Sequence, residues 1–146
     1  MTYLLRATLI ALALLSTVAC SSKRLLTPDR TLPVTLKTDR AQMQQAIVKT
    51  LVARQWTVQQ ITPNRVQAQI TVRGQYHAEI DIPNSADHYR IQYRDSRGLD
   101  YKDGKIHKNY IRWVRLLDKG ILRELKDHQN ELTARQLSES ALATPQ

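Results

Sequence analysis

The sequence of residues 106–126 is Ile-His-Lys-Asn-Tyr-Ile-Arg-Trp-Val-Arg-Leu-Leu-Asp-Lys-Gly-Ile-Leu-Arg-Glu-Leu-Lys. On an α-helix, which advances about 100° per residue, the apolar residues of this stretch fall within one arc and the basic residues almost opposite. The apolar arc comprises Ile106, Tyr110, Trp113, Val114, Leu117 and Ile121. The basic stripe comprises Lys108, Arg112, Arg115, Lys119, Arg123 and Lys126. We therefore predict a two-faced helix, and the rest of the chain must supply an apolar surface on which it packs.

Four segments upstream alternate apolar and polar residues with a period of two, which predicts half-buried antiparallel strands. Their inward-facing residues are Trp56 and Val58; Val66, Ala68, Ile70 and Val72; Tyr76, Ala78, Ile80 and Ile82; and Tyr89, Ile91 and Tyr93. A three-residue loop at 73–75 sets Val72 opposite Tyr76, so apolar residues share one face of the hairpin. The same reasoning sets Ile82 opposite Tyr89 and brings Asp81 beside Arg90.

A second helix is predicted from residue 40 to about Arg54. Asp39 and Gln42 have the spacing of a capping box, and apolar residues follow at intervals of three and four. Residues 33–37 alternate and predict a short first strand that begins at Pro33. The fold class that follows is α+β, in the order β-α-β-β-β-β-α over residues 33–126. We expect a two-layer structure in which a four-stranded antiparallel meander carries both helices on one face, with Trp113 deeply buried.

The first twenty residues have the organisation of a secretion signal. A short segment containing Arg6 precedes an apolar run at residues 7–15, and small residues then lead into Cys20, the only cysteine. The apolar run is shorter than the roughly 20 residues that span a bilayer. The sequence Val18-Ala19-Cys20 resembles the bacterial lipobox, although Thr17 stands where Leu is usual. The resemblance implies that residues 1–19 are a signal peptide and that Cys20 becomes the acylated, membrane-anchored N-terminus.

Residues 21–32 lack sustained periodicity and contain a proline, so we predict that residues 20–32 form the lipidated cysteine and a tether. In such lipoproteins an Asp directly after the acylated cysteine favours retention at the inner membrane. Here that position is Ser21, which implies an outer-membrane location facing the periplasm. Residues 127–146 are predicted to be a fraying helix end and a disordered tail.

The chain has a formal net charge of +9, which favours anionic partners. A location outside the cytoplasm disfavours nucleic acid and leaves anionic lipid, lipopolysaccharide, peptidoglycan or another envelope protein. Two interpretations of the basic stripe stay open. It is either a binding surface or simply the solvated side of a packed helix, partly offset by Asp118, Glu124 and Asp127.

The residues that could support catalysis or metal binding are scattered. His77, His88, His107 and His128 lack the spacing of metal ligands, and Asp95, Asp100 and Asp103 lack the ligand order of a calcium loop. We therefore predict no metal and no cofactor. One enzymatic alternative remains, an envelope hydrolase that uses His107 with Ser96 or Asp100, and it requires these side chains to converge in a pocket.

The segments Asp95-Ser96, Leu99-Asp100-Tyr101 and Ile106-His107, followed by Tyr110-Ile111-Arg112-Trp113, resemble the C-terminal signature of small proteobacterial lipoproteins of uncharacterised function. Ile111 departs from that signature, which has Asn there. The resemblance implies no known activity, and the clustered Tyr, Ser and His side chains are expected to form either a packing lock between loop and helix or a binding site. The function predicted from the sequence is a non-enzymatic cell-envelope lipoprotein that presents a small binding or adaptor domain.

Overall fold

The computed structural model describes residues 21–143, so the predicted signal peptide and Cys20 lie outside the described residues. Within this range the elements are β1 Ser22–Arg24, β2 Asp29–Thr31, α1 Arg40–Ala53, β3 Thr57–Thr62, β4 Arg65–Val72, β5 Tyr76–Pro83, β6 His88–Arg90, β7 Gln92–Arg97, β8 Lys105–His107 and α2 Lys108–Leu142. The predicted α+β class is confirmed. None of the helices in this range is long and apolar enough to cross a membrane.

The central layer is a four-stranded antiparallel sheet in the order β3-β4-β5-β7. One face of β4 and β5 is buried, and Ile70 and Ile80 lie on it together, as the alternation predicts. Buried residues of α1 and α2 join these strand residues in a single hydrophobic core. Both helices therefore cover the same apolar face of the sheet.

The hairpin between β4 and β5 has the predicted register, with Val72 paired to Tyr76 and Ile70 to Ala78. The intervening three-residue loop turns through Arg73 and Gly74, whose φ angles are 54° and 65°. Glycine adopts this left-handed backbone without steric cost, which suits the tight turn.

The predicted pairing of the fourth strand is wrong by two residues. Asp81 pairs with Gln92, and Tyr89 forms an isolated bridge with Asn84 rather than facing Ile82. Asp81 therefore does not lie beside Arg90. A slip of two residues leaves every side chain on its original face, so the alternation of apolar and polar residues cannot detect it.

Residues 21–32, predicted to be a tether, instead contribute two strands to the fold. β1 pairs with β8, and β2 pairs with β6, which breaks the predicted fourth strand into β6 and β7. Leu32 is only 6% exposed and belongs to the core. By contrast, residues 33–37, predicted to be a strand, contain a turn at residues 34 and 35, and Val34 is 94% exposed. Strands of three residues are too short to establish a periodic pattern.

Helix α1 begins with the predicted capping box. The Asp39 carboxylate accepts from the Gln42 backbone N–H at 2.8 Å, and the Gln42 side chain accepts from the Asp39 N–H at 3.0 Å. These two bonds satisfy donors that the first turn would otherwise leave unpaired. The helix then buries one face into the core through Met43, Ala46, Ile47, Thr50 and Leu51.

Helix α2 continues to Leu142, through most of the region predicted to fray. Its buried residues are Tyr110, Ile111, Val114, Leu117, Asp118, Ile121 and Leu125. Trp113 is only half-buried, so its predicted deep burial is wrong. The buried arc extends instead toward Ile111 and Asp118, because the N-terminal segment packs along that side of the helix, where Arg30 reaches Asp118.

Candidate functional site

Helix α2 exposes all six residues of the basic stripe to solvent. The reason is the helical period, since residues at these positions point away from the arc that packs on the sheet. His107 precedes the helix, and its ring Nδ1 accepts from the Asn109 backbone N–H at 3.2 Å. The stripe therefore runs along the solvent side of the helix from its first residue, Lys108.

The acids expected to offset this stripe are mostly engaged elsewhere. Asp118 is buried, and Glu124 forms an ion pair with Lys49 of α1 at 2.7 Å. Asp127 alone pairs with a stripe residue, Arg123, at 3.5 Å. Within residues 21–143 the other five stripe residues form no ion pair. The positive charge of the stripe is thus less compensated than the sequence predicts.

Asp118 is the centre of a buried polar network. Its carboxylate accepts from Arg30 Nε at 3.0 Å, from Arg30 Nη2 at 2.6 Å and from the Tyr89 hydroxyl at 2.9 Å. Burial, followed by the nearby Asp118 charge, raises the pKa of Tyr89, while the hydrogen bonds that Arg30 donates to Asp118 raise the pKa of Arg30. The network ties β2, β6 and α2 together, and its partners are too far apart in sequence for any local pattern to find.

The N-terminal end of the described chain lies beside the start of the stripe. The Ser21 carbonyl accepts from the Lys108 backbone N–H at 2.9 Å. In the adjoining β1–β8 pair, Lys23 lies opposite Ile106 and Arg24 opposite Lys105. Lys23, Arg24 and Lys105 are all exposed, so they extend the basic surface beyond the helix. The sequence did not identify these three residues, because they belong to the predicted tether and a loop.

Some of the residues that resemble the lipoprotein signature pack, together with Tyr93 of β7, where the loop between β7 and β8 meets α2. The Tyr93 ring stacks on Tyr101 with centroids 4.4 Å apart and meets Tyr110 edge-on at 5.7 Å. The Tyr93 hydroxyl is hydrogen-bonded to Ser96 Oγ at 2.9 Å. Burial raises the pKa of both Tyr93 and Tyr110. These ring contacts connect β7, the loop that follows it and α2.

The residues of the enzymatic alternative have separate partners. His107 stacks on Tyr76 at 5.8 Å and caps α2, whereas Ser96 bonds to Tyr93. Asp100 lies exposed in the loop with a φ of 50°. In the part of the chain that the structure describes, no hydrogen bond joins His107 to Ser96 or Asp100, and no group of three potential metal ligands is present.

The outer face of the sheet carries a network of polar side chains. Arg94 donates to Glu79 from Nε at 2.9 Å and from Nη2 at 2.7 Å, and its Nη1 lies 3.4 Å from Asp81. Arg90, which was predicted to lie beside Asp81, pairs with Asp29 of β2 instead. These charges are mutually compensated, in contrast with those of the basic stripe.

No protein-family model matches the chain, and no curated protein shows significant sequence similarity to it. Its function must therefore be inferred from its own residues, of which the basic stripe and the adjoining N-terminal strands form the most distinctive surface.

Proposed function

We propose that this protein is a non-enzymatic cell-envelope lipoprotein, anchored through acylated Cys20 and facing the periplasm from the outer membrane. Its folded domain binds an anionic envelope partner through the basic stripe. The observation that carries this proposal is the run of six exposed basic side chains on α2, five of which form no ion pair in the described chain. The lipobox-like sequence that ends at Cys20 supports the location.

Charge alone can supply useful binding energy on such a surface. Each Lys or Arg near an anionic surface contributes about 1 kcal/mol at physiological salt. The pairing of Glu124 with Lys49 and of Asp118 with Arg30 supports a functional stripe, because neither acid neutralises it. We do not propose the hydrolase alternative, since His107 and Ser96 are engaged by different partners, Asn109 and Tyr93.

The anchor is tested by Cys20→Ala. We expect this variant to leave the membrane fraction while keeping the wild-type thermal stability, because residue 20 precedes the strands that pack on the domain. Two acyl chains give stable attachment where a single chain is marginal. Mass spectrometry of the purified N-terminus should find acyl groups on the wild type. Membrane retention of the Cys20→Ala form after signal cleavage, verified by the mass of the purified protein, would contradict a lipid anchor.

The stripe is tested by replacing Arg112, Arg115, Lys119 and Arg123 with Gln and measuring sedimentation with anionic vesicles and with peptidoglycan. A matched control replaces four exposed basic residues elsewhere, Lys37, Arg40, Arg54 and Arg65. Both variants lose the same charge. If binding is specific to the stripe, only the stripe variant should sediment less than the wild type. The melting temperature should hardly change, since the apolar side of α2 is untouched. Equal sedimentation of the two variants would mean that the stripe is only a solvated face.

A further inference from the structure

The first described residues, which directly follow Cys20 in the sequence, lie beside the start of α2. Ser21 accepts a backbone hydrogen bond from Lys108 at 2.9 Å, and Ser22 pairs with His107. Cys20 directly precedes Ser21 in the sequence and is joined to it by one peptide bond. A lipid on Cys20 would consequently attach the domain at the start of α2, without the flexible tether that the sequence predicts.

The chain then follows α2 rather than leaving it. Leu25 donates its N–H to Gly104, next to β8, and nine residues after Ser21 the Arg30 side chain reaches Asp118. Leu26, Pro28 and Arg30 line a shallow depression together with Arg115 and Lys119. The anchor point, the N-terminal segment and the stripe therefore adjoin one another.

This combined surface is strongly basic. We define the anchor-side surface as Lys23, Arg24, Lys105, Lys108, Arg112, Arg115 and Lys119. The charged neighbours in the loop before β8 are Asp100, Lys102 and Asp103, and the buried Asp118 is already paired with Arg30. In the described part of the chain neither Asp100 nor Asp103 forms an ion pair with any of the seven basic residues. Within residues 21–143 none of the seven forms an ion pair.

We propose that the anchor-side surface lies on the anionic lipid head groups of the same membrane that holds Cys20, with α2 lying along the bilayer. This inference rests on the proposed function, because it needs an acylated Cys20, and it specifies the anionic partner as lipid. Attachment beside the surface makes the second contact intramolecular, so even weak attraction to the head groups suffices. A polymer such as peptidoglycan has no such advantage.

Orientation follows from the range of the electrostatic force. Along the helix Lys108 and Lys119 are about 16 Å apart, from a rise of about 1.5 Å per residue. The screening length at physiological salt is about 8 Å. If α2 stood upright on the anchor, Lys119 would be screened from the membrane. Only a helix lying flat brings the whole anchor-side surface to the head groups.

Lysine footprinting of the acylated protein tests this orientation. The full-length gene product is purified from membranes, its N-terminal acylation is checked by mass, and it is reconstituted into phosphatidylcholine vesicles with or without abundant phosphatidylglycerol. The vesicles then receive a brief pulse of an acetylating reagent, and the extent of acetylation is quantified at each lysine. Lys37 is the internal reference, because it is exposed in a groove lined by Glu124 and His128, on another side of α2.

We expect acetylation of Lys23, Lys105, Lys108 and Lys119 to slow by about fivefold or more on the anionic vesicles, while Lys37 is unaffected. Salt at 1 M, which shortens the screening length to about 3 Å, should abolish the difference. An Arg112→Gln/Arg115→Gln variant should lose the protection at Lys119, whereas Arg40→Gln/Arg54→Gln should keep it.

Three results would overturn the inference. Equal acetylation rates on both vesicle types would mean that the domain does not contact the anionic head groups. Protection confined to Lys23, Lys105 and Lys108 would mean that α2 is upright. Protection of Lys119 that arises only on adding purified peptidoglycan would make the polymer the partner. Absence of acyl groups in the initial mass measurement would instead refute the lipid anchor of the proposed function, and the membrane-bound orientation with it.

Discussion

Two buried tyrosines of this protein differ in what their hydroxyl groups contact. The Tyr89 hydroxyl donates to the Asp118 carboxylate at 2.9 Å, whereas the Tyr110 hydroxyl has no hydrogen-bond partner among the described residues. Both side chains are fully buried. Replacing each tyrosine with Phe therefore removes a hydroxyl that is hydrogen-bonded in one case and a hydroxyl without a partner among the described residues in the other.

We expect Tyr89→Phe to lower the free energy of unfolding by about 1–3 kcal/mol, because it removes a hydrogen bond to a buried charge. Tyr110→Phe should be neutral or slightly stabilising, since it removes a buried hydroxyl that gains no bond in the folded state. Urea denaturation of both variants measures the contrast. An equal loss in the two would show that the Tyr110 hydroxyl has a partner.

Glu79 makes the stability of the sheet depend on pH. Its hydrogen bonds with His77 and then Arg94 lower its pKa below the ordinary value of 4.5. A carboxylate with a lowered folded-state pKa stabilises the protein above the unfolded-state value, and this contribution is lost as pH falls through the folded-state value.

The free energy of unfolding should therefore decrease as pH falls below 4.5. Glu79→Gln should reduce this pH dependence, because an amide cannot be protonated in this range. Urea denaturation at neutral pH and at several acidic values measures the slope. Glu139→Gln, which alters an exposed carboxylate in the terminal part of α2, is the control and should leave the slope unchanged. If the two variants have equal slopes, Glu79 is not responsible.

The two helices approach each other closely at Gly120. A Cβ atom at this position would lie 2.6 Å from Thr50 Cγ2 of α1, whereas the other Thr50 atoms would lie 3.6 Å or more away. Thr50 is itself buried, and its branched side chain has little freedom to move aside. Glycine is therefore needed here for packing, even though it weakens an isolated helix.

We expect Gly120→Ala to destabilise the protein by about 1–3 kcal/mol through overpacking, which outweighs the helix-propensity gain of about 1 kcal/mol. Thr50→Ser removes only the clashing methyl group. Gly120→Ala should therefore cost much less stability in the Thr50→Ser background than in the wild type. A double-mutant cycle measures this difference. A stable Gly120→Ala single variant would contradict the close packing of α1 and α2.

The N-terminal segment is part of the folded domain rather than a spacer. Leu32 is in the core, and Arg30 is the cation that pairs with buried Asp118. At the other end, residues 133–143 of the long helix are exposed throughout. The two ends of the chain should therefore differ in their contribution to stability.

A chain that begins at Pro33 should lose about 3–6 kcal/mol relative to one that begins at Ser21. Removing Leu32 forfeits about 1.5–3 kcal/mol of apolar burial, and leaving Asp118 without Arg30 costs about 1.5–3 kcal/mol. A chain of similar length that ends at Leu132 serves as the control and should unfold like the wild type. Thermal and urea melts compare the two, and equal stability would restore the tether interpretation.

The local patterns of the sequence determine much of this protein. The alternation in β4 and β5, the capping box at Asp39 and the two faces of α2 each repeat within a few residues, so they are visible without coordinates. The identity of the basic stripe follows in the same way, because helical period alone places those residues opposite the packed arc.

Only the tertiary structure decided the features that join distant residues. Asp29 meets His88 across 59 positions and Arg30 meets Asp118 across 88, through strands too short to leave a pattern. The pairing of β1 with β8 places Ser21 beside Lys108, and the ion pair with Arg30 engages Asp118, which therefore does not offset the stripe. The tertiary structure also decided the two-residue register shift of β7, because a period of two cannot distinguish it. Local periodicity determines which face a residue occupies, whereas its partner depends on how the whole chain packs.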